Sequence, residues 1–129
     1  MKKIFLAGIG FLVLLACSTI KESAGDQKGI SLDSQDTTTY EVVIIDNQFD
    51  QWYMMNFNPS QDRTDEYYRG KNIIAVANWN QYFNAGKYKR VIESYIDYWP
   101  AKDYGIEVNR KLYWYFKYVE ETTGVPLFK

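Results

Sequence analysis

The sequence contains no histidine and one cysteine, Cys17. Without imidazole the chain cannot build a Ser-His-Asp triad, a Cys-His pair or a histidine-ligated metal site, so the most familiar enzyme constellations are excluded. A lone cysteine also has no partner for a disulfide within the chain. Any catalysis would therefore depend on carboxylates, amines, hydroxyls or phenols.

An excess of charge of one sign is also lacking. The 15 Lys and Arg residues face 16 Asp and Glu, and the isoelectric point is near 5.4. Such a chain has no broad cationic field for a phosphate backbone, so we expect no nucleic-acid partner. A length of 129 residues provides for one domain.

The longest apolar run lies near the first residue. Two lysines follow Met1, and residues 4–16 are all apolar or glycine, ending at Cys17. A helix of that length covers about 20 Å, less than the ~30 Å hydrocarbon core of a bilayer. The run is therefore typical of a cleaved signal peptide, which we place at residues 1–16.

Leu14, Leu15 and Ala16 precede the cysteine and resemble the bacterial lipobox. The pattern predicts lipidation of Cys17, the alternative being an ordinary buried or free thiol. Acyl chains contribute about 0.8 kcal/mol per buried methylene, so the lipid would hold the protein at a membrane. We expect an envelope lipoprotein, and Ser18 is compatible with an outer-membrane location facing the periplasm.

Composition changes abruptly at Tyr40. Residues 18–39 are rich in Ser, Thr, Gly, Asp and Lys and contain no aromatic residue, which predicts a flexible tether over 17–39 that includes the lipidated cysteine. All aromatic residues except Phe5 and Phe11 lie beyond it. Large rings fill a small core efficiently, so we predict a single globular domain at 40–129.

Hydrophobic periodicity predicts an α+β fold that is rich in helix. Residues 40–46 read as a strand, 49–57 as a short helix, and two long helices are expected from Thr64 to about Asn84 and from Tyr104 to Gly124. Residues 87–98 fit either a helix or a strand, and their alternating pattern favours a strand paired with 40–46. The expected architecture is a sheet of two or three strands packed against two long helices and one short helix.

Several spacings resemble a family of small Bacteroidota lipoproteins of unknown function. The most specific is D-Y-G-x-E-x-N-x-K-L-Y-x-Y-F at residues 103–116, supported by YEVVIID at 40–46 and Asn-Trp-Asn at 78–80. The resemblance covers nearly the whole domain and implies the location and the fold. It implies no activity, ligand or cofactor.

A polar cluster near the start of the last predicted helix includes Asp97, Asp103 and Glu107. Two carboxylates ~5 to 9 Å apart can hydrolyse a glycosidic bond. Helix capping by Asp103 and pairing of Glu107 with Arg110 or Lys111 explain the same residues without chemistry and are favoured. We therefore predict no catalytic residue, no metal and no cofactor.

Aromatic residues in or beside predicted loops give a second set of surface candidates, namely Trp52, Tyr53, Trp99 and Tyr104. Exposed rings could stack on sugars, although core packing is the favoured explanation in a small domain without disulfides. The basic segment 87–90 could touch lipid headgroups, but a solvated helix exit is favoured.

Three functions are compatible with the sequence. The first is a non-enzymatic protein-interaction or structural domain, which we favour. The second is a glycan or peptidoglycan binding module that uses exposed rings, and the third is a carboxylate-dependent hydrolase.

Overall fold

The computed structural model describes residues 30–36, 39–44 and 46–129. The predicted signal peptide, Cys17 and the first part of the tether lie outside the described residues. Within the described part the chain is rich in helix, and a short 3₁₀ turn at Pro59–Gln61 separates the first two helices. The order of the main elements is β1 (Ile30–Asp36), β2 (Thr39–Ile44), α1 (Asn47–Asn56), α2 (Asp65–Ala85) and α3 (Ile106–Thr123).

Strands β1 and β2 form an antiparallel hairpin in which Ile30 lies opposite Ile44. Ile30 is buried, and Leu32 and Ile44 pack against the same core. Strand β1 therefore occupies residues that composition assigned to the flexible tether. The α+β expectation holds in part, because the β-structure of the described chain is confined to this two-stranded hairpin.

The predicted strand over 87–98, and its pairing with 40–46, is wrong. Residues 86–105 form neither helix nor strand. The alternation itself is present, because Ile92 and Ile96 are buried while Glu93 and Tyr95 are exposed. Periodicity correctly indicated which side chains face inward, but it did not reveal which groups form hydrogen bonds with the backbone of this segment.

Side chains of α2 bond to that backbone in place of a neighbouring strand. The Asn80 amide accepts a hydrogen bond from the N–H of Ile96 and donates one to its carbonyl oxygen, both at 2.8 Å. The Trp79 indole Nε1 donates to the carbonyl of Ser94 at 2.6 Å. Because buried backbone groups need partners, these bonds hold residues 94–96 against the helix.

The two long helices are confirmed, and their ends follow local chemistry. Thr64 begins α2, its hydroxyl accepting a bond from the N–H of Tyr67 at 3.2 Å. Gly86 and Gly124 end α2 and α3 in the left-handed conformation, with φ of 66° and 77°. Among the described residues no helix is both long and apolar enough to cross a membrane.

Aromatic side chains fill the core where α1 and α2 meet α3. Phe49 of α1 is fully buried and meets the edges of Tyr115 and Tyr118 at centroid distances of 5.4 and 5.6 Å. Trp79 of α2 lies 5.9 Å from Phe116. Helix α3 is thus the common packing surface, as its strong amphipathic pattern predicts.

Candidate functional site

The three carboxylates singled out from the sequence lie on the surface. Asp97 and Glu107 are exposed, and the Asp103 side chain is 87% exposed. Asp103 accepts a hydrogen bond from the N–H of Gly105 at 3.2 Å and therefore orders the turn before α3 rather than capping it directly.

The aromatic candidates separate into different environments. Trp99 is 55% exposed, whereas Trp52 is half-buried against Trp114 and Tyr118. Tyr104 belongs to the core: it is buried, stacks on Tyr98 and accepts a hydrogen bond from the backbone N–H of Trp99 at 2.8 Å. Tyr104 is therefore not an exposed ring, and its hydroxyl orders the preceding loop.

Among the residues that the structure describes, the carboxylate with the most hydrogen bonds is Asp62, in the loop before α2. The guanidinium of Arg110 on α3 donates two hydrogen bonds to it, from Nε to Oδ1 at 3.0 Å and from Nη2 to Oδ2 at 2.6 Å. The Tyr68 hydroxyl and the backbone N–H of Arg63 also donate to Oδ1. Arg110 therefore pairs with Asp62, whereas the sequence suggested Glu107 as a partner of Arg110.

These bonds set the protonation state of Asp62. The Arg110 guanidinium, followed by the Tyr68 hydroxyl, lowers the pKa of Asp62 from 3.8 to about 2. The same pairing raises the pKa of Arg110. Asp62 is thus a fixed negative charge at neutral pH and is unsuited to act as a general acid.

A cleft of about 510 Å³ opens beside this ion pair. One wall of the cleft is aromatic and extends from α2 to α3. The ring centroid of Tyr113 lies 5.9 Å from that of Tyr67 and 5.7 Å from that of Trp114. All three rings are half-buried, and Arg63 lies over the Tyr67 ring at 5.3 Å. The residues lining the cleft are Ser60, Gln61, Asp62, Arg63, Tyr67, Tyr68, Tyr113 and Trp114.

A second polar network lies inside the helix interface. Asn109 is fully buried; its amide donates to Asp65 at 2.7 Å and accepts from the Tyr98 hydroxyl at 2.9 Å. Asn72, also fully buried, donates to the Asn109 carbonyl at 2.9 Å. These hydrogen bonds fix the position of α2 relative to α3, so Asn109 has a structural role. In the described part of the chain, no three carboxylate or cysteine residues come together as a metal site would need.

Sequence reasoning missed the cleft because its parts are distant in the chain. Asp62 and Arg110 are 48 positions apart, and no local spacing marks either as a partner of the other. The Asn58-Pro59-Ser60 break was visible and marks the loop that carries Asp62, but nothing in it indicates a ligand site.

Comparison with known protein families gives a match over nearly the whole chain. A family model described as a family of unknown function, DUF6146, matches residues 4–128. No curated protein and no solved structure matches the chain. Because the matched region takes in nearly all 129 residues, the chain belongs to this family of unknown function.

Proposed function

We propose that the chain is a bacterial envelope lipoprotein, lipidated at Cys17 and anchored in the outer membrane facing the periplasm. Its folded domain binds another envelope component and performs no catalysis. The apolar run at 4–16 and the Leu14–Cys17 pattern support the anchor. Binding is supported by how the domain uses its polar groups.

The observation that favours a binding role over catalysis concerns two carboxylates, Asp62 in the cleft and Glu120 on α3. Both already accept hydrogen bonds from the protein itself. Asp62 is saturated by Arg110, Tyr68 and a backbone N–H. Glu120 accepts the backbone N–H groups of Leu127 and Phe128 at 2.7 and 3.0 Å. These carboxylates fasten the fold, whereas a hydrolase needs two that face a substrate.

Exposed apolar side chains on α1 favour a protein partner. Met54 and Met55 are 81% and 79% exposed, while Phe49 of the same helix is anchored in the core. Adjacent exposed methionines are unusual on a surface and suit an adaptable protein contact.

Photo-crosslinking in the native envelope tests this surface. A photoreactive residue at Met54 should give a discrete adduct with one envelope protein, and the same residue at exposed Gln81 of α2 serves as the control. Absence of an adduct from position 54, or equal adducts from both positions, would contradict a protein contact at α1.

Lipidation is tested separately. The full chain should incorporate labelled fatty acid and fractionate with the outer membrane, and Cys17→Ala should lose both properties. Retention of acyl label or membrane association by Cys17→Ala would show that the signal was misread.

A glycan-binding role is the second candidate, and the cleft beside Asp62 favours it. That cleft, rather than Trp52 or Trp99, combines half-buried rings with polar side chains.

A further inference from the structure

We infer that the cleft between the 59–63 loop, the start of α2 and α3 binds a saccharide that carries a negative charge. The inference rests on the proposed function, because it names the ligand of a non-catalytic envelope domain. The juxtaposition behind it is a wall of three half-buried rings beside an arginine that has no ion-pair partner among the described residues.

The size and lining of the cleft suit a sugar. Its volume of about 510 Å³ lies within the usual range of small-molecule sites. Tyr67 and Tyr113 present both ring surface and hydroxyl groups, and Gln61 adds an exposed amide at the rim. A pyranose has matching chemistry, because its C–H face packs on rings while its hydroxyls exchange hydrogen bonds with phenols and amides.

The charges around the cleft select an acidic ligand. Asp62 is neutralised by Arg110, so its carboxylate does not balance other cations. The Arg63 guanidinium lines the cleft and lies 5.3 Å from the Tyr67 ring centre. A cation on the wall of a small cleft therefore favours an anionic group on the bound sugar.

The cleft is held open by the bonds that neutralise Asp62. The paired Asp62 and Arg110 fix the 59–63 loop to α3, and the Tyr68 hydroxyl accepts from the Arg63 N–H at 3.1 Å while donating to Asp62. The backbone of Arg63 is thus set by two bonds that do not involve its guanidinium. A site fixed in advance loses less entropy when a ligand binds.

Two sugars that differ by one acidic substituent provide the test. N-acetylmuramic acid is N-acetylglucosamine whose 3-hydroxyl carries a lactyl ether, so the pair compares the sugar with and without this carboxylate-bearing group, and Arg63→Gln isolates the effect of the charge. The full chain, purified in detergent, is titrated with each sugar by ligand-observed NMR. We expect saturable binding of N-acetylmuramic acid with a Kd of about 1 mM or lower, and binding of N-acetylglucosamine at least about tenfold weaker.

Matched variants locate the site. Tyr67→Leu removes the ring and should weaken binding of N-acetylmuramic acid at least about tenfold, whereas Tyr67→Phe keeps the ring and should stay within about threefold. Arg63→Gln should lower the affinity for N-acetylmuramic acid to that for N-acetylglucosamine. Trp99→Ala, which removes an exposed ring elsewhere, should leave binding unchanged. Thermal melts of each variant show whether it is folded.

Three results would overturn the inference: saturation by neither sugar, equal affinity for both, or a loss of binding in Trp99→Ala with none in Tyr67→Leu. Failure here is distinguishable from failure of the proposed function. The lipid label and the crosslink at α1 would stand without sugar binding, and sugar binding would stand if Cys17 were not acylated.

Discussion

Asp62 is the residue through which three parts of the chain are joined. Its carboxylate links the loop before α2 to Tyr68 within α2 and to Arg110 on α3. A two-bond arginine pair is stronger than an ordinary surface ion pair because both partners are held in one plane. The side chains of Arg110 and Asp62 are only 20% and 27% exposed, so water screens their attraction incompletely.

Replacing this carboxylate should destabilise the domain in a pH-dependent way. Asp62→Asn is expected to lower the free energy of unfolding at pH 7 by about 1–2 kcal/mol, because Arg110 loses its charged partner. The folded-state pKa of Asp62 is about 2, below the ordinary 3.8. The carboxylate therefore stabilises the fold fully above pH 3.8, and this contribution is lost as the pH falls through the folded-state pKa near 2.

Urea denaturation of wild type and Asp62→Asn across pH measures this directly. The difference between the two proteins should be constant near neutrality and shrink between about pH 4 and pH 2. Asp97→Asn, at an exposed position, is the matched control and should show little difference at any pH. A gap between wild type and Asp62→Asn that persisted unchanged at pH 2 would refute the charged pairing.

At the scale of elements, the side chains of Trp79 and Asn80 in α2 bond to the segment at 86–105, and Asn80 makes two of these bonds. Asn80→Ala removes both hydrogen bonds to Ile96 and should cost about 1–3 kcal/mol, since a buried backbone group is left without a partner. Amide hydrogen exchange should accelerate across 92–98 while α3 stays protected. Asn84→Ala, an exposed asparagine on the same helix, should change neither quantity; similar acceleration in both variants would exclude a specific role for Asn80.

Replacement of glycine by alanine should change the free energy of unfolding in opposite directions at two positions. Gly70 lies inside α2 with open space around an added Cβ, so Gly70→Ala is expected to raise the free energy of unfolding by about 0.5–1 kcal/mol. Gly124 ends α3 with φ of 77°, so Gly124→Ala should lower it by about 1 kcal/mol despite equally open space. Thermal and urea denaturation of the two variants check this, and a shift of the same sign in both would show that backbone conformation is not the cause.

Elements with local signals were predictable from the sequence, and those with distant partners were not. Helix α2 begins at Thr64 and ends at Gly86, both readable from the sequence. Residues 87–98 have strand alternation, yet their backbone partners are side chains on α2, which periodicity cannot reveal. Strand β1 was missed because its polar composition resembles a tether. The cleft depends on the contact between Asp62 and Arg110, which the helix packing creates.

At the scale of the whole molecule, residues 125–129 close the core from outside the helices. Leu127 is fully buried and Val125 nearly so. The backbone beside them is bonded from two directions: the Asn78 amide donates to the Leu127 carbonyl at 2.7 Å, and Glu120 accepts the Leu127 N–H at 2.7 Å. A segment without secondary structure is thus tied to both long helices, so its burial couples α2 to α3.

Leu127→Ala should therefore act on the whole domain rather than fray one segment. Removing a fully buried leucine side chain is expected to lower the free energy of unfolding by about 2–4 kcal/mol. Circular dichroism and tryptophan fluorescence should report one shifted urea transition, because Trp79 and Trp114 belong to the packing that the segment completes. Lys129→Ala, at an exposed neighbouring position, is the control. A near-native midpoint for Leu127→Ala, with faster exchange limited to 125–129, would mean that α2 and α3 pair without this closure.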